Sequence, residues 1–369
     1  MRKRISAIIN KLNISIMIMP VVLMIGCEQQ PEAGKPGASG GVNGNLGNSL
    51  MELGRSAENA FYAFIELVSN VLGFTAKSDT AKQEVGGYFN SLDAKLGEAS
   101  NDLEQVAIKA ELGVYKSDSS KNPIREAVNE AKGVLQILKG HLESLKEVGD
   151  DKVVGDAATN TQGTTVHEDS LKKALNALQE IVKAATSVGV KVLEARATTL
   201  TVNGVDNKDG AKALATSGGN PAATDAGKAA IILTAVSGKE ILKSIIESKE
   251  SDAALSANAK EDASAVSFAK GGSDAHLAGA NTPKAAVAGG IALRSLVKAG
   301  KLASGAADGA QGGKEEVQRV GIAATNKLLV AIEDVIKKTV KNVLGTAKEK
   351  IDKARGPQAP ISEPSKKAD

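Results

Sequence analysis

The single cysteine of this 369-residue chain, Cys27, has the surroundings that most clearly indicate chemistry. It follows a leader that opens with Arg2-Lys3-Arg4 and then runs mostly apolar over residues 14–25. The residues directly before the cysteine are Leu23-Met24-Ile25-Gly26, which end in a small side chain. This order is typical of a bacterial lipoprotein signal peptide over residues 1–26, cut between Gly26 and Cys27. We therefore predict that the Cys27 thiol receives a diacylglycerol and that the freed amine is acylated.

The leader has two other interpretations. A transmembrane helix needs about 20 apolar residues to cross a hydrocarbon core of about 30 Å, and this apolar stretch is shorter. An ordinary cleaved signal would leave Cys27 as an incidental free thiol, which is a liability in an oxidising compartment. Lipid attachment at Cys27 is the favoured interpretation. It requires no cofactor beyond the covalent lipid.

The charge balance changes when the leader is removed. The full sequence has a formal charge of +3, and the leader holds four basic and no acidic residues, so residues 27–369 carry −1. A nearly neutral protein gives no electrostatic reason to expect a nucleic-acid partner. Because acylation of Cys27 would leave no thiol for a disulfide, packing alone must stabilise the fold.

The other patterns that could carry chemistry are weak. No histidine has a second histidine or a cysteine at metal-ligand spacing: the three are His141, His167 and His276. We expect residues 167–169 to form the polar start of a helix, with Asp169 near its cap, and not a metal site. The nucleophile-elbow string at residues 37–41 lies in a low-complexity segment without a preceding strand. Since no phosphate loop is present either, we predict no catalytic residues and no metal.

The chain after the leader divides into flexible and helical parts. Residues 27–48 are rich in Gly, Pro, Ser and Asn and are predicted to be a lipidated, flexible tether. A capping box at Ser49 begins a helix that is predicted to end at Gly73. Residues 356–369 contain three prolines and are predicted to be a disordered tail. The helical surface domain is therefore predicted to span residues 49–355.

Apolar residues at helical spacing predict the other helices of this domain. One begins near Thr80 and is expected to break or kink near Gly97. The next is capped by Asn122, which precedes Pro123 at the first helical position. Later helices are predicted over residues 171–192, 237–246, 282–300 and 317–355.

Gly-rich connections between residues 150 and 313 separate these helices, and no stretch shows sustained strand alternation. We predict an all-α, elongated helical bundle, in which long N- and C-terminal helices pack together and the Gly-rich loops lie at the distal end. On the last helix, Glu333 with Lys337 and Asp334 with Lys338 are expected to form i,i+4 pairs on the exposed face.

Several stretches resemble one known family. Residues 291–303, Ile-Ala-Leu-Arg-Ser-Leu-Val-Lys-Ala-Gly-Lys-Leu-Ala, resemble the Ile-Ala-Leu-Arg-Gly-Met-Ala-Lys-Asp-Gly-Lys-Phe-Ala stretch of Borrelia variable surface lipoproteins. Residues 61–74, 85–89 and 324–340 are similar to other parts of that family, and residues 23–27 fit a spirochaetal lipobox. The resemblance is to the variable large proteins of relapsing-fever Borrelia, and it extends from the leader to about residue 355.

The resemblance implies a non-enzymatic surface antigen, lipid-anchored in the cell outer membrane and facing the exterior. A cell would express one of many alternative copies at a time, so that switching evades host antibody. An adhesin that binds a host serum or matrix protein is the alternative; a solute-binding lipoprotein would instead need two α/β lobes. The expected partners are outer-membrane lipid, host antibodies, a host ligand of unknown identity, and a second copy in a weak homo-oligomer.

Overall fold

The computed structural model describes residues 73–113, 122–191, 199–279 and 281–355. All of them belong to one compact unit, Val42–Asp369. The predicted signal peptide, tether and tail lie outside the described residues, as do Gly26, Cys27 and the predicted helix that begins at Ser49.

Within the described ranges the chain forms nine α-helices, one 3-10 helix and four very short strands. The long helices are α1 (Lys82–Gly113), α2 (Pro123–Lys146), α3 (Glu168–Ser187) and α9 (Lys314–Arg355). The shorter helices between α3 and α9 are the 3-10 helix Lys208–Leu214, α4 (Asp225–Thr234), α5 (Gly238–Ile246), α6 (Ala265–Lys270), α7 (Asp274–Leu277) and α8 (Lys284–Leu296). The all-α prediction is confirmed.

The strands form two minimal sheets. Strands β1 (Thr201–Val202) and β2 (Val205–Asp206) pair antiparallel, and β3 (Ala215–Ser217) pairs parallel with β4 (Gly272–Ser273). Each strand has only two or three residues, so these sheets connect neighbouring loops and do not form a separate layer of the fold.

Helix α2 shows how local sequence determines the framework. The Asn122 side-chain oxygen accepts hydrogen bonds from the backbone N–H of Ile124 at 2.9 Å and of Arg125 at 3.3 Å. Pro123 occupies the first turn, where its missing N–H leaves no bond unmade. The buried residues of α2 recur at helical spacing and pack against α1, α3 and α9. The predicted cap and the predicted packing of this helix against the last one are confirmed.

Three helices differ from the prediction, and one of them is α3, which ends at Ser187, five residues before the predicted residue 192. Helix α1 is continuous from Lys82 to Gly113, so the break expected near Gly97 is wrong. Its buried leucines continue on both sides of Gly97, at Leu96 and Leu103, and this apolar face packs against α2 along the helix. Helix α8 ends at Leu296, four residues before the predicted stop, because Val297 is already extended at φ −87°, ψ 147°.

The Gly-rich connections of residues 150–163, 217–220 and 298–313 lie at the end of the long helices where α1 begins, α2 ends and α9 begins. At the opposite end, Lys350 of α9 forms an ion pair with Glu130 of α2. The loops are therefore at the end away from Arg355, as predicted. No helix in the described ranges combines the length and the apolar content that crossing a bilayer requires.

The crossing of α1 and α2 predicts opposite effects for two adjacent glycines. A Cβ on Gly86 would lie 2.3 Å from the carbonyl oxygen of Lys146, whereas a Cβ on Gly87 would meet nothing within 4 Å. We expect Gly86→Ala to lower the free energy of unfolding by about 2 kcal/mol, because backbone must shift to admit the methyl group. The matched change Gly87→Ala should raise it by about 0.5–1 kcal/mol through helix propensity. Urea unfolding measures both, and shifts of equal sign would contradict the close crossing.

Candidate functional site

Three connections that are distant in the sequence meet beside the ends of α2, α8 and α9. We call them the loop platform, which comprises residues 147–167, 213–220 and 297–313. They are joined directly by backbone hydrogen bonds: the N–H of Ala158 donates to the carbonyl of Leu302 at 2.8 Å, and that of Gly163 to Ala215 at 2.9 Å. The N–H of Ala303 donates to the 3-10 helix at Ala213, at 2.8 Å. The three connections therefore form one surface.

Arg294 of α8 lies under this surface and is fully buried, with 0 % of its area exposed. Its guanidinium donates to backbone carbonyls that belong to four separate segments. The acceptors are Ala269 at 2.6 Å, Thr164 at 2.8 Å, Lys301 at 3.3 Å, and Leu214 and Phe268 at 3.4 Å each. Burial lowers the pKa of Arg294 to about 9, which still leaves the side chain mostly charged at neutral pH. One cation thus fixes the positions of the segments around it.

Lys82, the first residue of α1, is a second buried cation and is 1 % exposed. Its ammonium donates to the carbonyls of Val297 at 3.0 Å and Gly300 at 2.6 Å. Desolvation by burial lowers the pKa of Lys82 to about 8, and the negative charges of Asp150 and Asp156 partly oppose this shift. Together, Lys82 and Arg294 hold residues 297–301 from two sides.

The outer part of each connection is exposed, although the backbone beneath it is buried. We call the exposed stretches 159–161, 217–220 and 307–311 the tips. Polar side chains tie the tips to one another. The ties run from Gln162 Nε2 to the Gly218 carbonyl at 2.5 Å, from Asn220 Nδ2 to the Asn160 carbonyl at 2.8 Å, and from Thr159 Oγ1 to Asp308 Oδ1 at 2.8 Å. The side chains between these ties are exposed to solvent.

Residues 167–169 form the polar start of α3, as predicted, with Asp169 in its first turn. The N-cap is His167, whose ring Nδ1 accepts a hydrogen bond from the Ser170 N–H at 3.4 Å. His141 lies within α2 and His276 within α7. No group of three or more histidine, cysteine or acidic side chains is placed to hold a metal ion in the described part of the chain.

The prediction for Glu333 is wrong, whereas that for its neighbour is confirmed. Asp334 pairs with Lys338 at 2.8 Å on the exposed face of α9. Glu333 is only 8 % exposed and accepts hydrogen bonds from the Tyr88 hydroxyl and, at 3.2 Å, from the Gly73 N–H. Burial and the carboxylate of Glu333 raise the pKa of the Tyr88 phenol above its usual range. This carboxylate therefore belongs to the packing of the fold.

Sequence reasoning did not single out Arg294 or Lys82. For Arg294 a signal exists, because it is the one charged residue among residues 285–297, which are otherwise Ala, Gly, Val, Ile, Leu and Ser. A lone charge inside an apolar helix indicates a buried polar contact. Lys82 has no comparable signal, since the residues around it are polar.

The comparison with protein families agrees with the resemblance of residues 291–303. The Borrelia lipoprotein family matches residues 57–351, and the chain belongs to this family. Variable large protein 7 of Borrelia hermsii is 76% identical over 369 residues, which cover 99% of this chain and 100% of that protein. Variable large protein 21 of the same organism is 61% identical over 364 residues, 97% of this chain and 99% of that protein.

Among solved structures, the Lyme disease variable surface antigen VlsE of Borrelia burgdorferi has the same fold. The two agree with a TM-score of 0.67 at 24% sequence identity, over 84% of this chain and 100% of that chain. The resemblance to the variable large proteins is therefore confirmed.

Proposed function

We propose that this chain is a non-enzymatic coat lipoprotein of the cell outer membrane, anchored by lipid at Cys27 and facing the exterior. Its role is antigenic variation: exchange for an alternative copy removes the surface that host antibodies recognise. The partners are outer-membrane lipid on one side and host antibodies on the other.

The observation that carries this proposal is the division of the loop platform into a fixed interior and exposed tips. The interior is held by Arg294 and Lys82, which bind only backbone carbonyls. Exposed loop side chains that make few contacts can be replaced with little effect on stability. Copies that present different residues to antibodies but share one fold require such a division, in which the exposed tips change and the buried interior does not.

The long helices supply the distance between anchor and tips. Helix α9 has 42 residues and is about 63 Å long at 1.5 Å per residue. The platform lies at its N-terminal end. A lipid anchor at the opposite end would hold the tips well away from the bilayer, where antibody can reach them.

Exposed threonines of the platform test the proposal. The variant Thr161→Lys with Thr165→Lys changes two exposed side chains, and Gln136→Lys on the exposed face of α2 is the matched control. Antiserum raised against residues 49–355 should label intact cells that carry the wild-type protein, and surface protease should strip it. We expect the antibodies to lose more affinity for the platform variant than for the control, with unfolding curves unchanged. Protection from protease in unbroken cells would refute the surface location.

Binding of the soluble domain to a panel of serum and matrix proteins separates the coat function from the alternative, an adhesin. If the chain is a coat protein, no serum or matrix protein should show saturable binding to the wild-type domain that is lost in the platform variant. Saturable binding to one host protein, lost in that variant, would replace it with the adhesin function.

Lipid attachment has its own prediction. Cys27→Ala should abolish the incorporation of labelled palmitate and release the protein from the membrane fraction, because each buried CH₂ contributes about 0.8 kcal/mol and several acyl chains are lost together. Ser39→Ala, which changes another small side chain of the predicted tether, should retain full labelling. Undiminished palmitate in the Cys27 variant would exclude this residue as the acylation site.

A further inference from the structure

Residues 201–206 form a small hairpin that is mostly exposed. The pairing of β1 with β2 ends at Val202 and Val205, so Asn203 and Gly204 make up a two-residue loop. Both loop residues have a positive φ, 51° at Asn203 and 79° at Gly204, as a type I′ turn requires. Asn203, Gly204 and the whole of β2 are exposed to solvent.

An asparagine that precedes a glycine is the residue whose side chain cyclises most readily onto the backbone. The reaction joins the backbone nitrogen of the next residue to Cγ of the asparagine, and a side chain on that next residue hinders the approach. A Cβ on Gly204 would meet nothing within 4 Å, so the space around this nitrogen is open. The Gly204 N–H also lies beyond the last strand pair, Val202 with Val205, and is therefore outside the β1–β2 ladder.

Asp209-Gly210 is a second pair that can cyclise in the same way, and the fold restrains it. The Asp209 carboxylate forms ion pairs with Lys228 at 2.5 Å and with Lys212 at 2.9 Å. The hydrogen bond from Lys228 is the main cause that lowers the pKa of Asp209, and the carboxylate form does not cyclise. Gly210 is buried, and its N–H donates to the Asn207 carbonyl at 2.9 Å. Of these two pairs, the fold leaves Asn203-Gly204 able to react.

The base of the hairpin is held by side chains that lie below the turn. Asn207 is buried, and its Nδ2 donates to the Val205 carbonyl at 2.8 Å and to the Leu200 carbonyl at 3.5 Å. Asp206 Oδ1 accepts from the Lys208 N–H at 2.9 Å. A two-stranded hairpin is only marginally stable by itself, so the turn can open while these contacts at the base persist.

We propose that Asn203 is a site of spontaneous modification, at which the side-chain amide becomes an acid without an enzyme. The Gly204 nitrogen attacks Asn203 Cγ and closes a succinimide ring, while the Cγ–Nδ2 bond breaks and releases ammonia, which takes the proton of the Gly204 N–H. One water molecule then opens the ring, and the acid formed loses its proton to solvent. Cleavage at Cγ gives aspartate. Cleavage at the backbone carbonyl carbon of Asn203 gives isoaspartate, in which the main chain runs through Cγ.

Both products change the exposed surface. Each adds a negative charge to the turn of a hairpin that already carries Asp206. Isoaspartate also adds one atom to the main chain, so the two-residue loop no longer matches the twist of β1 and β2. The surface of this hairpin therefore changes with the age of each molecule, without any change in its gene.

Peptide mapping of the folded full chain tests the site, because trypsin cleaves after Arg196 and Lys208 and yields the peptide 197–208. A synthetic copy of this peptide, incubated in parallel at mildly alkaline pH, gives the rate of the unrestrained reaction. We expect acid to form at Asn203 in the folded chain with a half-time no more than about ten-fold longer than in the synthetic peptide, because the hairpin opens readily. Asn207, in the same peptide, should keep its amide. An amide at Asn203 that persists well beyond this time would overturn the proposal.

Asn203→Gln tests the assignment, because glutamine must close a larger ring and reacts far more slowly. Isoaspartate in the peptide 197–208, detected by labelling with protein isoaspartate methyltransferase, should be lost in this variant. Asn220→Gln is the matched control: Asn220 is also exposed, but it precedes Pro221, which has no N–H, and the labelling should not change. Equal labelling of wild type and Asn203→Gln would refute the site.

Asp209 tests whether the fold selects between the two pairs. Isoaspartate at Asp209 should form in the urea-unfolded chain and not in the folded one. Equal labelling of Asp209 and Asn203 in the folded chain would contradict this selection.

Discussion

Replacing Arg294 with methionine should lower the free energy of unfolding by about 4 kcal/mol, because several buried carbonyls lose their donor at once. The methionine fills much of the volume but donates no hydrogen bond. Small domains have a total stability of only about 5–15 kcal/mol, so this single change removes a large fraction of it. Urea unfolding measures the loss. Hydrogen exchange should accelerate at residues 164, 214–216 and 301–303, while the middle of α2 keeps its protection.

The matched control for this change is Arg319→Met. Arg319 lies exposed on α9, and its replacement should alter stability by less than about 0.5 kcal/mol. Arg294→Lys should fall between the two, since one ammonium can reach fewer of the carbonyls than the planar guanidinium does. If Arg294→Met and Arg319→Met unfold at the same urea concentration, the buried cation does not organise the platform.

Lys82→Met should destabilise the protein by an amount that increases with pH. The pKa of Lys82 is about 8 in the folded protein and 10.5 in the unfolded chain, so between these values the unfolded chain binds more protons at this site. The free energy of unfolding of the wild type, relative to that of the methionine variant, therefore rises as pH increases from 8 to 10.5. We expect the substitution to cost about 1 kcal/mol at pH 7, from the two lost hydrogen bonds, and roughly 3 kcal/mol more near pH 10.5.

Unfolding curves of wild type and variant at pH 7, 8, 9 and 10 measure this difference. Lys77→Met, which replaces an exposed lysine five residues before Lys82, is the control and should change the free energy of unfolding by less than about 0.5 kcal/mol. A constant difference for Lys82→Met would mean that its ammonium has the same pKa in the folded and unfolded states.

Short-range signals in the sequence predicted much of the helical framework. The Asn122 cap, the Pro123 first turn and the capping box of Ser237 with Glu240 are all present in the structure. Each depends on groups within one turn of helix, so the chemistry is complete in a few adjacent residues. The last helix was also predicted to within a few residues, because its apolar face repeats over its whole length.

The contacts that organise the loop platform could not be predicted in the same way. The acceptors of Arg294 and Lys82 are backbone carbonyls, which every residue has and which leave no mark in a sequence. Glu333 had a good local partner at i+4, yet Tyr88, which is 245 residues away, takes its place. When a side chain can bond either to a residue one turn away or to a residue in a distant segment, the local sequence favours the first and carries no signal for the second.

The ties inside the loop platform also define which substitutions its positions can accept during evolution. The connections are joined by amide donors at Ala158, Gly163 and Ala303, and an amide donor is common to nineteen of the twenty amino acids. Proline alone lacks it, so proline is excluded at all three positions. Gly163 excludes every other side chain as well, because a Cβ there would overlap the backbone of Lys301. Loop length is constrained in the same way, since an inserted residue would shift every donor beyond it away from its acceptor. Variation is therefore confined to the exposed side chains of the tips, while loop length, the amide donors and the closely packed glycines such as Gly163 and Gly312 must be kept.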